Sequence, residues 1–174
     1  MLDRTLSFRD ARTDDALDLV EIARDTYVET FAQRYQPSDI RQYMDAQFTP
    51  ERMRSDLADP QTEVRVAFAG RRMVGYCQLG PMTLPEDPDP RPALQLHRIY
   101  VSRARQGVGV GRILLTWAVE RARQRGAKSL WLSVWRGNTV AIRVYESRGF
   151  ETVGETPVQV GAAFDEEKVM RLEL

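Results

Sequence analysis

The run Gln106-Gly107-Val108-Gly109-Val110-Gly111-Arg112 has the residue types and spacing to hold an anion. Three glycines at alternate positions let successive backbone N–H groups converge with no Cβ in the way. A helix starting there adds the partial positive charge of its N-terminus. A pyrophosphate suits such a cradle, and Arg103, Arg105 and Arg112 flank it with guanidinium charge. The nucleotide signatures that share this chemistry do not fit. A Walker loop needs Gly-Lys-Ser/Thr where Gly111-Arg112-Ile113 stands, and the dinucleotide fingerprint needs glycine at Arg112. Two further side chains are suited to proton transfer. His97 is the one histidine in the chain, and an unperturbed imidazole titrates near pH 6.5. Tyr145 stays protonated at neutral pH, its ordinary pKa being about 10.

The elements that must carry these groups follow from pattern. Leu6–Phe8 is a short strand, and Thr13 offers an N-cap to a helix running to about Tyr35, with Val20, Ala23, Tyr27 and Phe31 as its apolar stripe. Ser38 and Thr49-Pro50 open two shorter helices that end at Asp59-Pro60. Glu63–Phe68 and Met73–Leu79 form a hairpin around Gly70. The five prolines between Pro81 and Pro92 make a stiff surface loop. A strand–helix–strand–helix–strand order follows: strand Leu94–Val101, helix Gly109–Arg125, strand Ser129–Val134, helix Asn138–Ser147 ended by Gly149, and strands near Glu151–Pro157 and Ala163–Leu172. The helix after the glycine turn is expected to face inward with Ile113, Leu114, Trp117 and Ala118. One α/β domain over residues 1–174, a mixed sheet with helices on both faces, is the economical arrangement.

Composition narrows the field. Acidic and basic residues balance at 25 each, so no global field recruits nucleic acid or an anionic membrane. No apolar run reaches the roughly 18 residues of a membrane span, and MLDRTLSFRD lacks a signal-peptide core. A cytoplasmic location is the expectation. One histidine and one cysteine leave metal binding negligible, and Cys77 in a β-rich run reads as a small buried hydrophobe rather than a nucleophile. Of the cationic side chains only Lys128 and Lys168 are lysines. A homodimer is compatible with all of this.

Gln106-x-x-Gly109-x-Gly111 after LQLHRIYV resembles the acetyl-CoA pyrophosphate motif of the GNAT superfamily of N-acetyltransferases. WLSVWRGNTVAIRVYESRGF resembles that superfamily's second cofactor motif, through Asn138, Ala141, Tyr145 and Gly149-Phe150. The pieces DTYVETF, RIYV and SVWRGNTVAIRVYESRGF look most like the bacterial spermidine/spermine-type enzymes. The resemblance implies a largely antiparallel sheet of six to seven strands, with acetyl-CoA as cosubstrate. It implies that the Ile99-Tyr100-Val101 backbone bonds the pantetheine arm, that residues 106 to 112 (Gln106, Gly107, Val108, Gly109, Val110, Gly111, Arg112) take the pyrophosphate, and that Asn138 bonds the cofactor, caps a helix, or does both. Tyr145 stands where the family places its general acid.

The base departs from the family pattern. Many relatives carry a glutamate on the strand before the glycine turn, and here the two candidate positions hold Gln95 and His97. Glutamine takes no proton, so His97 is either the base or a structural histidine in the sheet. The resemblance places acceptor recognition on the first helices and C-terminal strands, with Asp25, Tyr27, Glu29 and Phe31 as candidates for a cationic amine. Direct transfer to a primary amine in a ternary complex is expected, a polyamine-like small molecule being favoured over an amino acid, an aminated antibiotic or a protein N-terminus. A non-catalytic acyl-CoA-binding module and a nucleotide-binding regulator are the competing classes. Tyr145 argues against the first and the two failed signatures against the second.

Overall fold

The computed structural model describes residues 5–85 and 91–174. Part of the proline-rich loop, residues 86–90, and the first four residues lie outside that description. The chain order is β1 (Leu6–Asp10), α1 (Ala16–Phe31), α2 (Pro37–Gln47), α3 (Pro50–Ala58), β2 (Glu63–Ala69), β3 (Arg72–Gly80), β4 (Ala93–Val101), α4 (Val110–Gln124), β5 (Ser129–Trp135), α5 (Thr139–Glu146), β6 (Glu151–Val160) and β7 (Ala163–Glu173). The strands form one sheet in the order β1-β2-β3-β4-β5-β7-β6, antiparallel throughout except between β4 and β5. Pro157 is tolerated within β6 because that strand is an edge.

Each face of the sheet buries its own helices. On one side Leu114, Leu115, Ala118 and Ala122 of α4 and Ile142 and Tyr145 of α5 pack on Leu94, Leu96, Leu130 and Leu132. On the other, Leu19, Ile22 and Tyr27 of α1, Ile40 of α2 and Met53 of α3 pack on Val64, Val66 and Tyr76. Leu114, Leu130 and Leu79 are fully buried, and deleting a buried leucine side chain typically costs about 2–5 kcal/mol.

The sequence reading needs correction at several boundaries. Thr13 is not the cap of α1. It lies in a short 3-10 turn, Thr13–Asp15, and the capping acceptor is the Asp15 carboxylate, which takes the Arg12 N–H at 2.6 Å. The helix stops at Phe31, not Tyr35, because Pro37 occupies the first turn of α2 and holds Gln36 extended ahead of it. Pro37, rather than Ser38, therefore opens α2. In α4 the inward face is rotated: Ile113 is 42% exposed and Trp117 half-buried, while Val110 and Leu115 turn to the core. Other local signals hold. Thr49 caps α3 by accepting from the Arg52 N–H, and Asn138 caps α5 by accepting from the Ala141 N–H.

Asp15 ties β1 to the entry of α1 through a fork of two 2.7 Å hydrogen bonds from Arg9. The Arg9 hydrogen bonds hold its carboxyl below the usual carboxylate value, against the opposing cost of burial. A carboxyl depressed on folding stabilises the fold above its unfolded pKa of about 3.9, and that contribution is lost as pH falls through the lower folded value. Asp15→Asn should therefore melt below wild type at pH 7, and the gap in Tm should close as pH falls below about 4. Thermal melts of the two proteins between neutral and strongly acidic pH measure it.

Candidate active site

The sheet opens where β4 and β5 meet. Their parallel pairing covers only Ala93↔Ser129, Leu94↔Leu130 and Gln95↔Trp131. Beyond that point β4 runs on to Val101 paired with β3 alone, and β5 runs on to Trp135 paired with β7 alone. Between the two diverging ends lies a cleft of about 1020 Å³. One wall is Leu96–Val101, the opposite wall is Leu132–Trp135, and the glycine turn and α5 close the remaining sides. The β4 edge that faces the cleft has backbone groups with no strand to pair, the geometry by which an extended ligand arm can be bound.

A β-bulge sits at the point of divergence. Leu79 pairs with Leu96 and Gln78 with Arg98, so His97 has no opposite residue on β3. The bulge reverses which face later residues present, keeping Ile99 and Val101 against the α4 side while Tyr100 joins the α1 side. His97 is half-buried on the cleft wall, with Nε2 at 2.9 Å from the Pro81 carbonyl. Since a carbonyl only accepts, Nε2 carries the proton and donates, which leaves Nδ1 as the basic nitrogen of the neutral ring. Burial is the main force lowering its pKa below the ordinary imidazole value, with the neighbouring Arg98 charge acting in the same sense. His97 is accordingly neutral at pH 7. Gln95 looks elsewhere. Its Oε1 accepts from the Thr83 N–H (2.8 Å), the Leu84 N–H (3.1 Å) and the Thr83 hydroxyl (3.2 Å), pinning the loop that follows β3.

The glycine turn forms as its sequence requires. Gly107 and Gly109 have φ of 77° and 93°, in the left-handed region that side chains other than glycine rarely adopt. Gly109 stands directly before α4, whose first amides have no intrahelical carbonyl to bond. Gly111 differs. Its backbone is ordinary, and a Cβ there would meet only a Val101 methyl at 3.7 Å. Protein packing does not demand that glycine, and the space it leaves belongs to the cleft. The turn is braced where it leaves β4: the Gln106 side chain donates to the Val101 carbonyl, and the Glu29 carboxylate accepts the Arg103 N–H at 2.8 Å.

Most of the residues singled out from sequence gather here. His97, Ile99, Tyr100, Val101, Gln106, Gly107, Val108, Gly109, Gly111, Arg112, Asn138 and Tyr145 all line the cleft, as do Glu29 and Phe31 of α1. Two do not. Val110 is 1% exposed and its side chain belongs to the core beneath α4, so it meets a ligand through its backbone alone. Tyr27 is 3% exposed and packs behind Phe31, ring centroids 4.6 Å apart, among Tyr43 and Phe48. It supports the wall without forming its surface. Tyr145 is 8% exposed, packs on Phe150 and lines the cleft from α5. Burial pushes its phenol pKa well up, so the hydroxyl stays protonated at any working pH.

Sequence reasoning missed Ser133, Trp135 and Glu167, which also line the cleft. Phe31 meets Trp135 edge to face at 6.1 Å. The indole lies so close to Gly137 that any side chain there would overlap it. The Asp-Glu-Glu-Lys run containing Glu167 reads as solvated surface, and only the β5–β7 register, which sets Glu167 opposite Trp135, turns it inward. Cys77 is fully buried, its thiol pKa raised by burial, with Sγ against the Leu114 carbonyl.

Comparison with known proteins agrees with this geometry. Residues 17–150 match the Acetyltransferase (GNAT) family. An uncharacterised N-acetyltransferase of Lactobacillus delbrueckii subsp. lactis is 28% identical over 142 residues, covering 81% of this chain and 82% of the relative. One from Mycobacterium tuberculosis is 28% identical over 160 residues, covering 92% and 98%. The crystal structure of the PaiA N-acetyltransferase of Thermoplasma acidophilum in complex with coenzyme A shares the fold, with a TM-score of 0.79 at 20% identity over 98% of this chain and 99% of that one. With its divided β4–β5 pair, its glycine turn and this match over most of its length, the chain belongs to the GNAT family of acetyltransferases.

Proposed function

We propose that this enzyme moves the acetyl group of acetyl-CoA directly onto the primary amine of a small, polyamine-like molecule, both substrates being held in the one cleft. The observation that carries the reading is the convergence of an anion cradle, an unpaired strand edge and a buried phenol on a single cavity. The residues fit the donor. Amides of the Gly107–Arg112 turn and the Arg112 guanidinium would hold the pyrophosphate, and the free edge of Ile99–Val101 would hold the pantetheine. Asn138 already spends its Oδ1 on the Ala141 N–H, so its side-chain amide N–H groups are what it could offer a ligand.

Bound there, acetyl-CoA supplies an activated carbonyl carbon and a thiolate leaving group. The acceptor arrives as an ammonium, and His97, neutral and with Nδ1 free of its own proton, takes the proton that the nitrogen must lose, directly or through a water. As the C–N bond forms and the C–S bond breaks, the Tyr145 hydroxyl gives its proton to the departing sulfur, the second proton shed by the nitrogen restores the phenol directly or through a water, and His97 releases its own proton to solvent. Cys77, buried and held as a thiol, takes no part, which favours direct transfer over an acetylated enzyme.

Three outcomes test this. Gly109→Val should fold but bind acetyl-CoA far more weakly, because valine cannot adopt a φ of 93° without distorting the cradle. In thermal shift, acetyl-CoA at 100 times Kd should add about 2.7 kcal/mol of apparent stability to wild type and much less to the variant. Tyr145→Phe should lose about 10²–10⁴-fold in kcat with acetyl-CoA affinity retained, since the phenol acts on charge present only in the transition state. His97→Gln should flatten the rising limb of kcat/KM against pH. That limb should lie below the ordinary imidazole value of about 6.5, as the buried ring demands. Overlaid wild-type and variant profiles would make His97 structural.

A further inference from the structure

Glu167 is a carboxylate in the cleft whose chemistry the transfer reaction leaves unused. It projects from β7 opposite Trp135, half-buried, and lines the cleft with Ser133. Among the described residues no arginine, lysine or histidine pairs with it. The cations beside Trp135 and on β4 are committed elsewhere: Arg34 forks onto Asp165 at 2.8 and 3.0 Å while stacking over Trp135, Arg136 pairs with Glu166, and Arg98 donates to Gln78 at 3.1 Å and lies 3.7 Å from Asp56. Tyr35 also donates to Asp165. Around Glu167 the cleft presents Ser133, Trp135 opposite it in register, and the Phe31 ring set edge to face against that indole. Burial raises its carboxyl pKa, a cost that Ser133 only partly offsets. A buried carboxylate without a cation is expensive to keep. In a ligand cleft with aromatic walls, the economical partner is a cation that the ligand brings.

Its place along the cleft separates it from the chemistry. Glu167 pairs with Trp135, four residues past the last β4–β5 pair, whereas His97 stands two residues past it on the opposite wall. Resting on the acetyl-transfer reading above, we propose that Glu167 anchors a second ammonium group of the acceptor, one that is not acetylated, so that the enzyme selects amines carrying two or more cationic nitrogens. The aromatic edge formed by Phe31 and Trp135 then lies beside the methylene chain between the two nitrogens.

The test compares putrescine, cadaverine and spermidine with butylamine and pentylamine as acceptors, scored by thiol release from acetyl-CoA. Wild type should prefer the diamines and spermidine by at least tenfold in kcat/KM, the difference residing mainly in KM. Glu167→Gln should bring that ratio close to one. Should this variant fail to bind acetyl-CoA as a folded protein, Glu167→Asp replaces it, and the shortened carboxylate should keep the preference in weaker form. A ratio unchanged in Glu167→Gln, or a wild type that treats monoamines and diamines alike, overturns the anchor while leaving acetyl transfer intact. Thiol release with none of the five probes also overturns it. The transfer reading then stands or falls separately, on a wider amine panel read with wild type and Tyr145→Phe.

Discussion

Parallel strands that pair at one end and diverge at the other leave two backbone edges facing each other with nothing between them. In this protein the pairing of β4 with β5 stops at Gln95 and Trp131, and everything chemical lies beyond that point. The divergence is stable because each strand keeps its outer partner: β3 continues along β4 to Val101, and β7 continues along β5 to Trp135. Each half of the sheet satisfies its hydrogen bonds on one side and offers those on the other to a ligand. An unpaired edge inside a domain is otherwise a liability, so the cleft makes sense as a place where a bound chain completes the ladder.

The same divergence fixes where side chains can act. The bulge at His97 falls one step past the last β4–β5 pair, and the Pro81 carbonyl sets the tautomer of its ring. Opposite, α5 brings Tyr145 up against β5 because Asn138 starts that helix only three residues after the strand ends. The glycine turn is bound to α1 through Glu29 and Arg103, which makes the C-terminal end of α1, with Phe31, part of the same rigid wall. Glu29 stood among acceptor candidates by virtue of its charge. That charge faces a backbone amide of the turn, so its first duty is to join the donor side of the cleft to the acceptor side.

What was legible in the sequence was local. The glycine turn, the Thr49 and Asn138 caps, the hairpin around Gly70 and the two motifs depend on residues a few positions apart, and the cradle they build appears where they stand in the chain. Which candidate side chains reach the cleft depended on long-range pairing instead. Tyr27 and Phe31 share a helical stripe, and only the packing of α2 against α1 decides that Phe31 meets the cleft while Tyr27 lies behind it. Glu167 sits in a charged run whose two faces no periodicity can assign, and its inward turn follows from its register with Trp135. The His97 bulge is invisible for the same reason, since an extra residue in a strand is defined by the neighbour that lacks it.

Gln95 carries a consequence for any attempt to redesign the base. The family resemblance leads one to expect a glutamate on this strand, and Gln95→Glu would install one here. Three donors already converge on the Gln95 side-chain oxygen, two of them backbone amides of the loop after β3. A carboxylate in that nest would be held ionised and its proton affinity would fall, since hydrogen bonds donated to the charged form lower a carboxyl pKa. Gln95 is also buried on the loop side and forms no part of the cleft surface. A glutamate at position 95 would therefore serve as a loop clamp too weakly basic to take a proton from an amine. The loop would have to let go of position 95 before that position could become catalytic.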